Sequence, residues 1–389
     1  MPVTPPLFAV PAGRAPRYEP CIDGWRAVAA AMVLVAHFFP HHAPPNTWTQ
    51  LGENGVIIFF IISGYLISTI LFAAKERVEK HSLRKRDGLR RFYIRRVLRI
   101  APIYYGSILA MCAIGSQPVR DGVWWHLTYT TNFGQVFLGM DFKNAVHFWT
   151  LAVEEQFYVV WPLIVLAVPR ERLGTMLRAV FLGSAALLLL AGACGASWGL
   201  MTMLPVGGSS LALSFGALLA YGRFYGNGIA LRHARAALWV GAPGFVFSQY
   251  LWRLHGGGEA AYNRPEYKFT YVWAVTLFFG WFFIRSLAPG SVLARFLSLS
   301  PLRYLGRISY GVYVYHWLLD PYYVSIWKRL GLEATVVART LSRIPGIDIS
   351  SHVAEGGLKS ATVIVLAAMS WHLFEKPILS LKDRLAPGG

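Results

Sequence analysis

Two ionisable side chains, Arg26 and His37, stand in the first apolar stretch of this 389-residue chain. They are eleven residues apart, which on an α-helix places them on one face and separates them by about 16 Å along the axis. Ionisable groups inside apolar segments are costly unless they are paired or hydrated, so each is a functional candidate. The alternatives are a snorkelling interface anchor for Arg26 and a solvent-wetted interfacial histidine for His37.

The block 148–162 carries two adjacent carboxylates, Glu154 and Glu155, in an otherwise apolar run. On a helix they point about 100° apart, so one can face a cavity while the other pairs elsewhere. If the first segment runs outward and this one inward, Glu154 is expected at nearly the depth of His37. The pattern predicts a histidine base oriented by a carboxylate, with the choice between the two glutamates left open. The alternative is a buried ion pair that locks two helices together.

Three arginines, Arg95, Arg96 and Arg99, lie in a basic stretch before the third apolar segment. Arg95 and Arg96 stand four and three residues before Arg99, so all three guanidinium groups crowd one helical face. Guanidinium groups bind phosphate oxygens in a bidentate manner, which favours a ligand that carries phosphate. The alternative is the ordinary positive anchoring of a membrane helix.

Further polar residues near the end of the chain are weak signals when each is taken alone. They are Ser309, Tyr310, Tyr313, His316, His372 and Glu375. The three cysteines show neither metal-ligand spacing nor the pattern of a disulfide framework, so we expect no metal site.

The elements that must position these residues are membrane helices. Hydrophobic residues make up 55% of the chain and charged residues 14%, against about 25% charged in an average soluble domain. The mean hydropathy is +0.44. This composition excludes a soluble multi-domain protein, a disordered chain and a disulfide-stapled secreted domain. The net charge of +18 falls in short segments between apolar runs, which is typical of cytoplasmic loops and gives no support to nucleic-acid binding.

Ten apolar segments are candidates to cross a bilayer. They lie at about 25–40, 55–74, 100–115, 148–168, 178–200, 209–222, 236–251, 269–284, 308–327 and 359–374. The segment 124–139 is more polar, and the basic connectors all fall on the cytoplasmic side only if it does not cross, so we interpret it as external or re-entrant. The sequence therefore predicts an all-α polytopic membrane protein with about ten transmembrane helices and both termini cytoplasmic.

Six motifs follow one another along the chain. They are Asp23-Gly-Trp-Arg26 followed by ten residues and His37, Gly55-Val-Ile-Ile-Phe-Phe-Ile-Ile-Ser-Gly-Tyr-Leu66, Arg96-Val-Leu-Arg99, the block from Trp149 to Pro162, the segment from Ser309 to Trp317, and Glu375-Lys-Pro377. In this order they resemble the acyltransferase-3 family of integral-membrane O-acyltransferases, which modify bacterial surface polysaccharides, lipid-linked sugars and some secondary metabolites.

The chain departs from the family pattern in three ways. Ile57 stands where the family often has an acidic or polar residue, and Thr150 stands where serine is usual. The threonine keeps the hydroxyl, whereas the isoleucine removes an optional contact. The fused hydrolase-like domain of longer members is absent, so we expect a stand-alone transferase that works alone or with a separate partner.

The resemblance implies transfer of an acyl group, most often acetyl, from cytoplasmic acyl-CoA to a hydroxyl of a cell-surface or lipid-linked carbohydrate. It implies a multi-pass protein of the bacterial inner membrane with acetyl-CoA as co-substrate and no permanently bound cofactor. The residue roles that follow are catalysis by His37, Glu154, Glu155 and Arg26, phosphate binding by Arg95, Arg96 and Arg99, and a substrate lining of Ser63, Tyr313, His316 and Trp149. The acceptor, the oligomeric state and a covalent acyl intermediate on Ser63 or His37 stay open.

The expected organisation is a disordered cytoplasmic N-terminus at 1–22, an acyltransferase-3 transmembrane domain at 23–377 and a short cytoplasmic tail at 378–389. The alternative function is a proton-coupled transporter or exporter of a glycolipid or small solute, because such transporters also place His, Glu and Arg within spans. A transporter would not release free thiol from acetyl-CoA, and this separates the two hypotheses.

Overall fold

The computed structural model describes residues 18–39, 47–205, 207–226, 229–262, 264–329, 334–341 and 350–386. Regular secondary structure in these residues is helical throughout, without a β-strand. Residues 1–17 of the predicted disordered N-terminus, residues 40–46 between the first two apolar segments and the last three residues of the tail lie outside the described residues.

Ten helices of 17 or more residues carry the fold of the described part of the chain. They are α1 (Pro20–Phe38), α2 (Thr47–Glu79), α3 (Lys85–Ala113), α4 (Phe148–Ala167), α5 (Arg170–Ala193), α6 (Gly208–Phe224), α7 (Ile229–Leu254), α8 (Pro265–Ser286), α9 (Ser300–Leu318) and α10 (Ser351–Ser370). Each of the ten predicted apolar segments overlaps one of these helices.

Six of the helical stretches are long and apolar enough to cross a membrane. They are Pro20–Phe38, Gln50–Glu79, Lys143–Ala167, Arg170–Ala193, Pro265–Ser286 and Ser351–Leu385. The prediction of an all-helical, multi-pass membrane protein is confirmed, whereas the count of about ten spans and the cytoplasmic termini stay predictions.

Short helices fill the connections between the long ones. They are Gln117–Asp121, Val123–Leu127, Thr131–Leu138, the 3₁₀ turn Lys143–Ala145, Trp198–Thr202, Gly258–Tyr262, Val292–Leu297, Asp320–Arg329, Ala334–Leu341, the π-helical Trp371–Glu375, Lys376–Ser380 and Lys382–Leu385. The polar segment 124–139 thus forms parts of two short helices of five and eight residues. Neither is long enough to cross a bilayer, as the sequence predicts.

Helix α2 packs extensively against both α6 and α1. A Cβ atom on Gly64 would lie 1.9 Å from the carbonyl oxygen of Leu213 on α6. Only a residue without a side chain allows two helix backbones to approach so closely, which is the usual role of small residues between membrane helices. This contact fixes α2, and with it Ser63, against the rest of the bundle.

The pairing of α1 with α9 relies on a similar contact. A Cβ atom on Gly306 would lie 1.8 Å from the carbonyl oxygen of Asp23. The close approach brings the helix that carries Arg26 and His37 against the helix that carries Tyr313 and His316. Two sequence motifs far apart in the chain therefore face each other in the bundle.

Both predicted domain edges fall within ordered helices. Helix α1 begins at Pro20, inside the predicted lead-in, and Cys21 and Ile22 are buried. In the predicted tail, the Arg95 guanidinium donates a hydrogen bond to the carbonyl oxygen of Ala386, 3.0 Å away. The end of the described chain therefore packs on α3.

Candidate active site

A small cavity of about 70 Å³ lies between α1, α2, α3, α4 and α9. The polar side chains that line it are Arg26, Ser63, Arg96, Arg99, Thr150, Glu154, Tyr158, Ser309, Tyr310 and Tyr313. Five of the six family-like motifs contribute to this lining, although they are spread over nearly 300 residues of sequence. His37 is not among the lining residues.

A second cavity of about 1130 Å³ adjoins the small one and is strongly basic. Its charged lining consists of Arg26, Arg77, Arg91, Arg95, Arg96, Arg99, Arg303, Arg307 and Lys382, against Glu19 and Asp23. Three arginines, at 26, 96 and 99, line both cavities. They stand where the cavities meet, and we call them the arginine neck.

Both acidic residues of the large cavity are already engaged in ion pairs. Asp23 lies 3.5 Å from the Arg26 guanidinium, and Glu19 lies 2.7 Å from that of Arg223. The protein therefore gathers far more positive than negative charge around this space. Such an arrangement is costly unless water or an anionic ligand compensates it, so the large cavity suits a ligand with several phosphates.

A hydrogen-bonded trio occupies one wall of the small cavity. The Ser63 hydroxyl donates to Oε1 of Glu154 over 2.6 Å, and the Tyr158 hydroxyl donates to Oγ of Ser63 over 3.0 Å. The Arg96 guanidinium lies over the Tyr158 ring, 5.8 Å from its centroid. The carboxylate of α4 is thus held by a serine of α2, within a space that also contains the arginine neck.

Three histidines lie in a row beyond the small cavity. The His37 and His316 rings are 5.0 Å apart between centroids, and the His316 and His147 rings are 4.9 Å apart. The Trp317 ring packs edge-on against the His37 ring, with 4.7 Å between the ring centroids. His316 and His147 are buried, whereas His37 is exposed. This histidine row is defined by residues 37, 147 and 316.

The structure brings some of the predicted site residues together and separates others. Arg26 and Glu154 share the small cavity, but the partner of Glu154 is Ser63, while the His37 ring packs against His316. The depths explain this difference from the expected pairing. His147, just before α4, is level with the histidine row, so Glu154 lies seven residues, or about 10 Å, further in.

The other predicted residues surround these two groups. Oε1 of Glu155 is buried, with no hydrogen-bond partner among the described residues. Tyr313 lines the small cavity, and its hydroxyl bonds Thr150 over 2.7 Å, while its ring lies 5.2 Å from that of His316. Trp149 packs edge-on against the cavity residue Phe60.

Four residues of this region carried no candidate role in the sequence. Arg303 and Arg307 line the large cavity, Tyr158 completes the trio, and His147 ends the histidine row. Three of these had a detectable signal, because Arg303 and Arg307 are four residues apart and Tyr158 lies one turn after Glu154. His147 had none, since its place depends on how the external loop folds.

The geometry defines a membrane-embedded site with a basic vestibule on one side and a histidine row on the other. A family model described as an acyltransferase domain matches residues 19–346. Because the match covers most of the chain, the protein belongs to the acyltransferase-3 family.

Curated relatives share this domain at moderate identity. O-acetyltransferase OatA of Staphylococcus aureus is 26% identical over 348 residues, which cover 80% of this chain and 52% of the relative. Peptidoglycan O-acetyltransferase OatA of Listeria monocytogenes is 27% identical over 368 residues, covering 84% and 54%. The putative peptidoglycan O-acetyltransferase YrhL of Bacillus subtilis is 26% identical over 400 residues, covering 93% and 55%. The chain spans about half the length of these relatives, and no solved structure matches it.

Proposed function

We propose that this protein is an O-acetyltransferase that moves an acetyl group from acetyl-CoA to a hydroxyl group of a carbohydrate across the membrane. The observation that carries the proposal is the large basic cavity, which shares the arginine neck with the much smaller cavity beside it. Acetyl-CoA has this shape and charge, since a nucleotide with three phosphates continues into a thin arm that ends in the thioester.

The phosphates of CoA occupy the large cavity in this proposal. Arg95, Arg96 and Arg99 of α3 face them from one side, and Arg303 and Arg307 of α9 contribute from the other. Guanidinium groups suit phosphate oxygens because they offer several donors in a fixed plane. In this proposal the large cavity opens towards the cytoplasm, where acyl-CoA is made.

The thioester then has to travel to the histidine row. Arg26 and His37 are eleven residues apart on α1, which is about 16 Å of helix rise. An extended pantetheine arm of roughly 18 Å, as bond lengths near 1.5 Å imply, covers this distance. Arg26 therefore contacts the donor at the arginine neck, and His37 lies next to the thioester at the far end of the arm.

His37 acts as the general base of the transfer. It takes the proton of the acceptor hydroxyl while that oxygen attacks the thioester carbonyl carbon. The carbon–sulfur bond then breaks, and the proton passes from His37 to the departing thiolate, which gives an ester and free CoA. Because His37 is exposed, an acceptor can reach its ring.

The acceptor is a carbohydrate of the cell envelope. The relatives from Listeria and Bacillus carry peptidoglycan in their names, and peptidoglycan is therefore the first acceptor to test. The protein would act from the bacterial inner membrane. Membership of an acyltransferase family favours this function over the proton-coupled transporter, which has no use for a cavity that fits CoA.

The test follows label from acetyl-CoA into a base-labile ester on peptidoglycan fragments, in membrane vesicles that contain the protein. Wild type is expected to transfer label and to release one thiol per ester. We expect His37→Asn to abolish transfer while the protein still accumulates. His81→Asn is the matched control, because His81 lies in an exposed turn where asparagine accepts its positive φ of 56°. Transfer that survives in His37→Asn would remove His37 from the mechanism.

A further inference from the structure

The small cavity contains polar groups that the proposed chemistry at His37 does not use. Ser63 and His37 are far apart in depth. A Cβ atom on Gly52 would lie 3.5 Å from Cε1 of His37, and Ser63 follows Gly52 by eleven residues on α2. Eleven residues of α2 rise about 16 Å, and Glu154, which bonds Ser63, follows His147 by about 10 Å of α4, so the Ser63 hydroxyl lies roughly 10–16 Å inward of the histidine row.

Any thioester that reaches His37 from the large cavity has to extend past Ser63. The space around Ser63 measures only about 70 Å³, which is too small to hold a nucleotide. The part of acetyl-CoA that crosses this level is the pantetheine arm. That arm carries two amide groups, and each amide brings one N–H donor and one carbonyl acceptor.

Buried amide groups need partners on both sides, because an unpaired one loses its hydrogen bond to water. The trio of Ser63, Glu154 and Tyr158 supplies the acceptor side. Ser63 already donates to Oε1 of Glu154 and accepts from Tyr158, which holds the carboxylate in place. A carboxylate has room for about four hydrogen bonds, so Glu154 can still accept an amide N–H.

The arginine neck supplies the donor side. Arg26 and Arg96 line the same small cavity as Glu154, and a guanidinium group donates readily to a carbonyl oxygen. A narrow space with a fixed carboxylate on one wall and guanidinium groups on another therefore complements an amide-bearing chain.

From this geometry we infer that Ser63 and Glu154 form a binding site for the amide groups of the pantetheine arm, with Glu154 accepting an amide N–H and Ser63 fixing the Glu154 carboxylate. The inference rests on the proposed use of acetyl-CoA as donor. It gives Glu154 a role in donor binding, whereas the sequence suggested that a carboxylate orients His37. It also makes Ser63 a positioning residue, since an acetyl group left on Ser63 would remain roughly 10 Å or more from His37.

The test separates binding of the arm from binding of the nucleotide. Purified protein in detergent is incubated with radiolabelled acetyl-CoA, and unlabelled acetyl-CoA or acetyl-pantetheine is then added to displace the label. Acetyl-pantetheine keeps the pantetheine arm and lacks every phosphate. The variants are Ser63→Ala and Glu154→Gln in the arm site and Arg95→Gln in the large cavity. Ser68→Ala is the control, because Ser68 is a buried serine of α2 that bonds Trp161 and lines neither cavity.

Loss of one hydrogen bond in the arm site is expected to weaken binding about tenfold. Ser63→Ala and Glu154→Gln should therefore weaken the binding of acetyl-CoA and the binding of acetyl-pantetheine by the same factor. Arg95→Gln should weaken the binding of acetyl-CoA more than that of acetyl-pantetheine. Ser68→Ala should leave the binding of both ligands unchanged. Ser63→Thr, which keeps the hydroxyl, should retain more affinity than Ser63→Ala.

Three results would overturn the inference. If the arm-site variants weaken the binding of acetyl-CoA but leave the binding of acetyl-pantetheine unchanged, these residues contact the nucleotide and not the arm. A base-labile acetyl group on Ser63 of the wild type, formed without acceptor, would make Ser63 a nucleophile. Wild-type protein that binds no acetyl-CoA would overturn the proposed donor as well, whereas the first two results leave it standing.

Discussion

At the residue scale, the chemistry of His37 depends on which ring nitrogen carries the proton. Nδ1 of His37 lies 2.8 Å from the carbonyl oxygen of Val33. A carbonyl oxygen only accepts hydrogen bonds, so Nδ1 holds the hydrogen of the neutral ring and Nε2 holds the lone pair. The sequence predicted that a carboxylate orients the His37 ring. In the structure a backbone carbonyl of α1 sets its tautomer instead.

His316 repeats this arrangement one helix away. Its Nδ1 lies 2.6 Å from the carbonyl oxygen of Tyr313, so its lone pair is also on Nε2. That nitrogen is buried, without a hydrogen-bond partner among the described residues. Since the His316 ring packs against that of His37, we expect it to stabilise the positive charge that His37 would gain in the proposed transfer.

We expect His316→Phe to lower kcat about tenfold, because it removes one interaction with the protonated His37 ring while it keeps a ring of similar size. The KM for acetyl-CoA should change less than twofold, since His316 lines neither cavity. Steady-state transfer assays measure both constants. A variant with unchanged kcat would reduce the role of His316 to packing.

At the element scale, the approach of α1 to α9 at Gly306 is what aligns the histidine row. A methyl group at this position would collide with the Asp23 carbonyl oxygen. We expect Gly306→Ala to cost about 2 kcal/mol or more, and to lower the melting temperature in detergent by roughly 5 °C. Gly183→Ala on α5 is the matched control, because a Cβ atom there has no neighbour within 4 Å. Equal melting temperatures for the two variants would contradict the close contact.

The short helices outside the spans contain a buried histidine with its own pH dependence. His126 is fully buried, and burial lowers its pKa to about 4. In the unfolded segment its pKa is near 6.5. Below pH 6.5 the imidazole is therefore protonated when the segment is unfolded but stays neutral when the segment is folded, down to about pH 4. Stability of the segment is therefore complete above pH 6.5 and declines as the pH falls towards 4, by roughly 3 kcal/mol in all.

Hydrogen exchange over residues 117–142 measures this loss of stability. Protection, corrected for the intrinsic pH dependence of exchange, should decrease between pH 6.5 and 4 in the wild type. His126→Gln removes the imidazole and adds no titratable group, so its protection should decrease much less over this range. A parallel decrease in both proteins would assign the effect to another group.

The sequence predicted where helices form but not which helices meet. Long apolar runs are enough to locate membrane helices, since each has to satisfy its own backbone. The partner of Glu154 depends on the depth of α4 and the face it turns to α2, and neither is encoded locally. The arginines were easier to find, because spacing on one helix places Arg96 and Arg99 together without reference to any other element.

At the scale of the whole molecule, the basic cavity and the proposed catalytic histidine lie towards opposite ends of α1. The large cavity gathers nine basic residues beside α1, α2, α3 and α9. The histidine row lies at the other end of α1, about 16 Å from the arginine neck. A donor and an acceptor that enter from opposite ends would therefore meet without either one crossing the membrane.

This arrangement predicts a strict sidedness that sealed vesicles can measure. Acetyl-CoA does not cross a bilayer, so it should support transfer in inverted vesicles, whose cytoplasmic face is outside, with the acceptor enclosed. Sealed right-side-out vesicles with external acetyl-CoA should show less than a tenth of that rate until a mild detergent opens them. Because the proposed binding of the donor phosphates relies on charge, raising the salt from 50 to 500 mM should also weaken donor binding several-fold. Equal rates in both orientations before opening would mean that the basic cavity is not the donor entrance, and the path from the arginine neck to His37 would then have to run the other way.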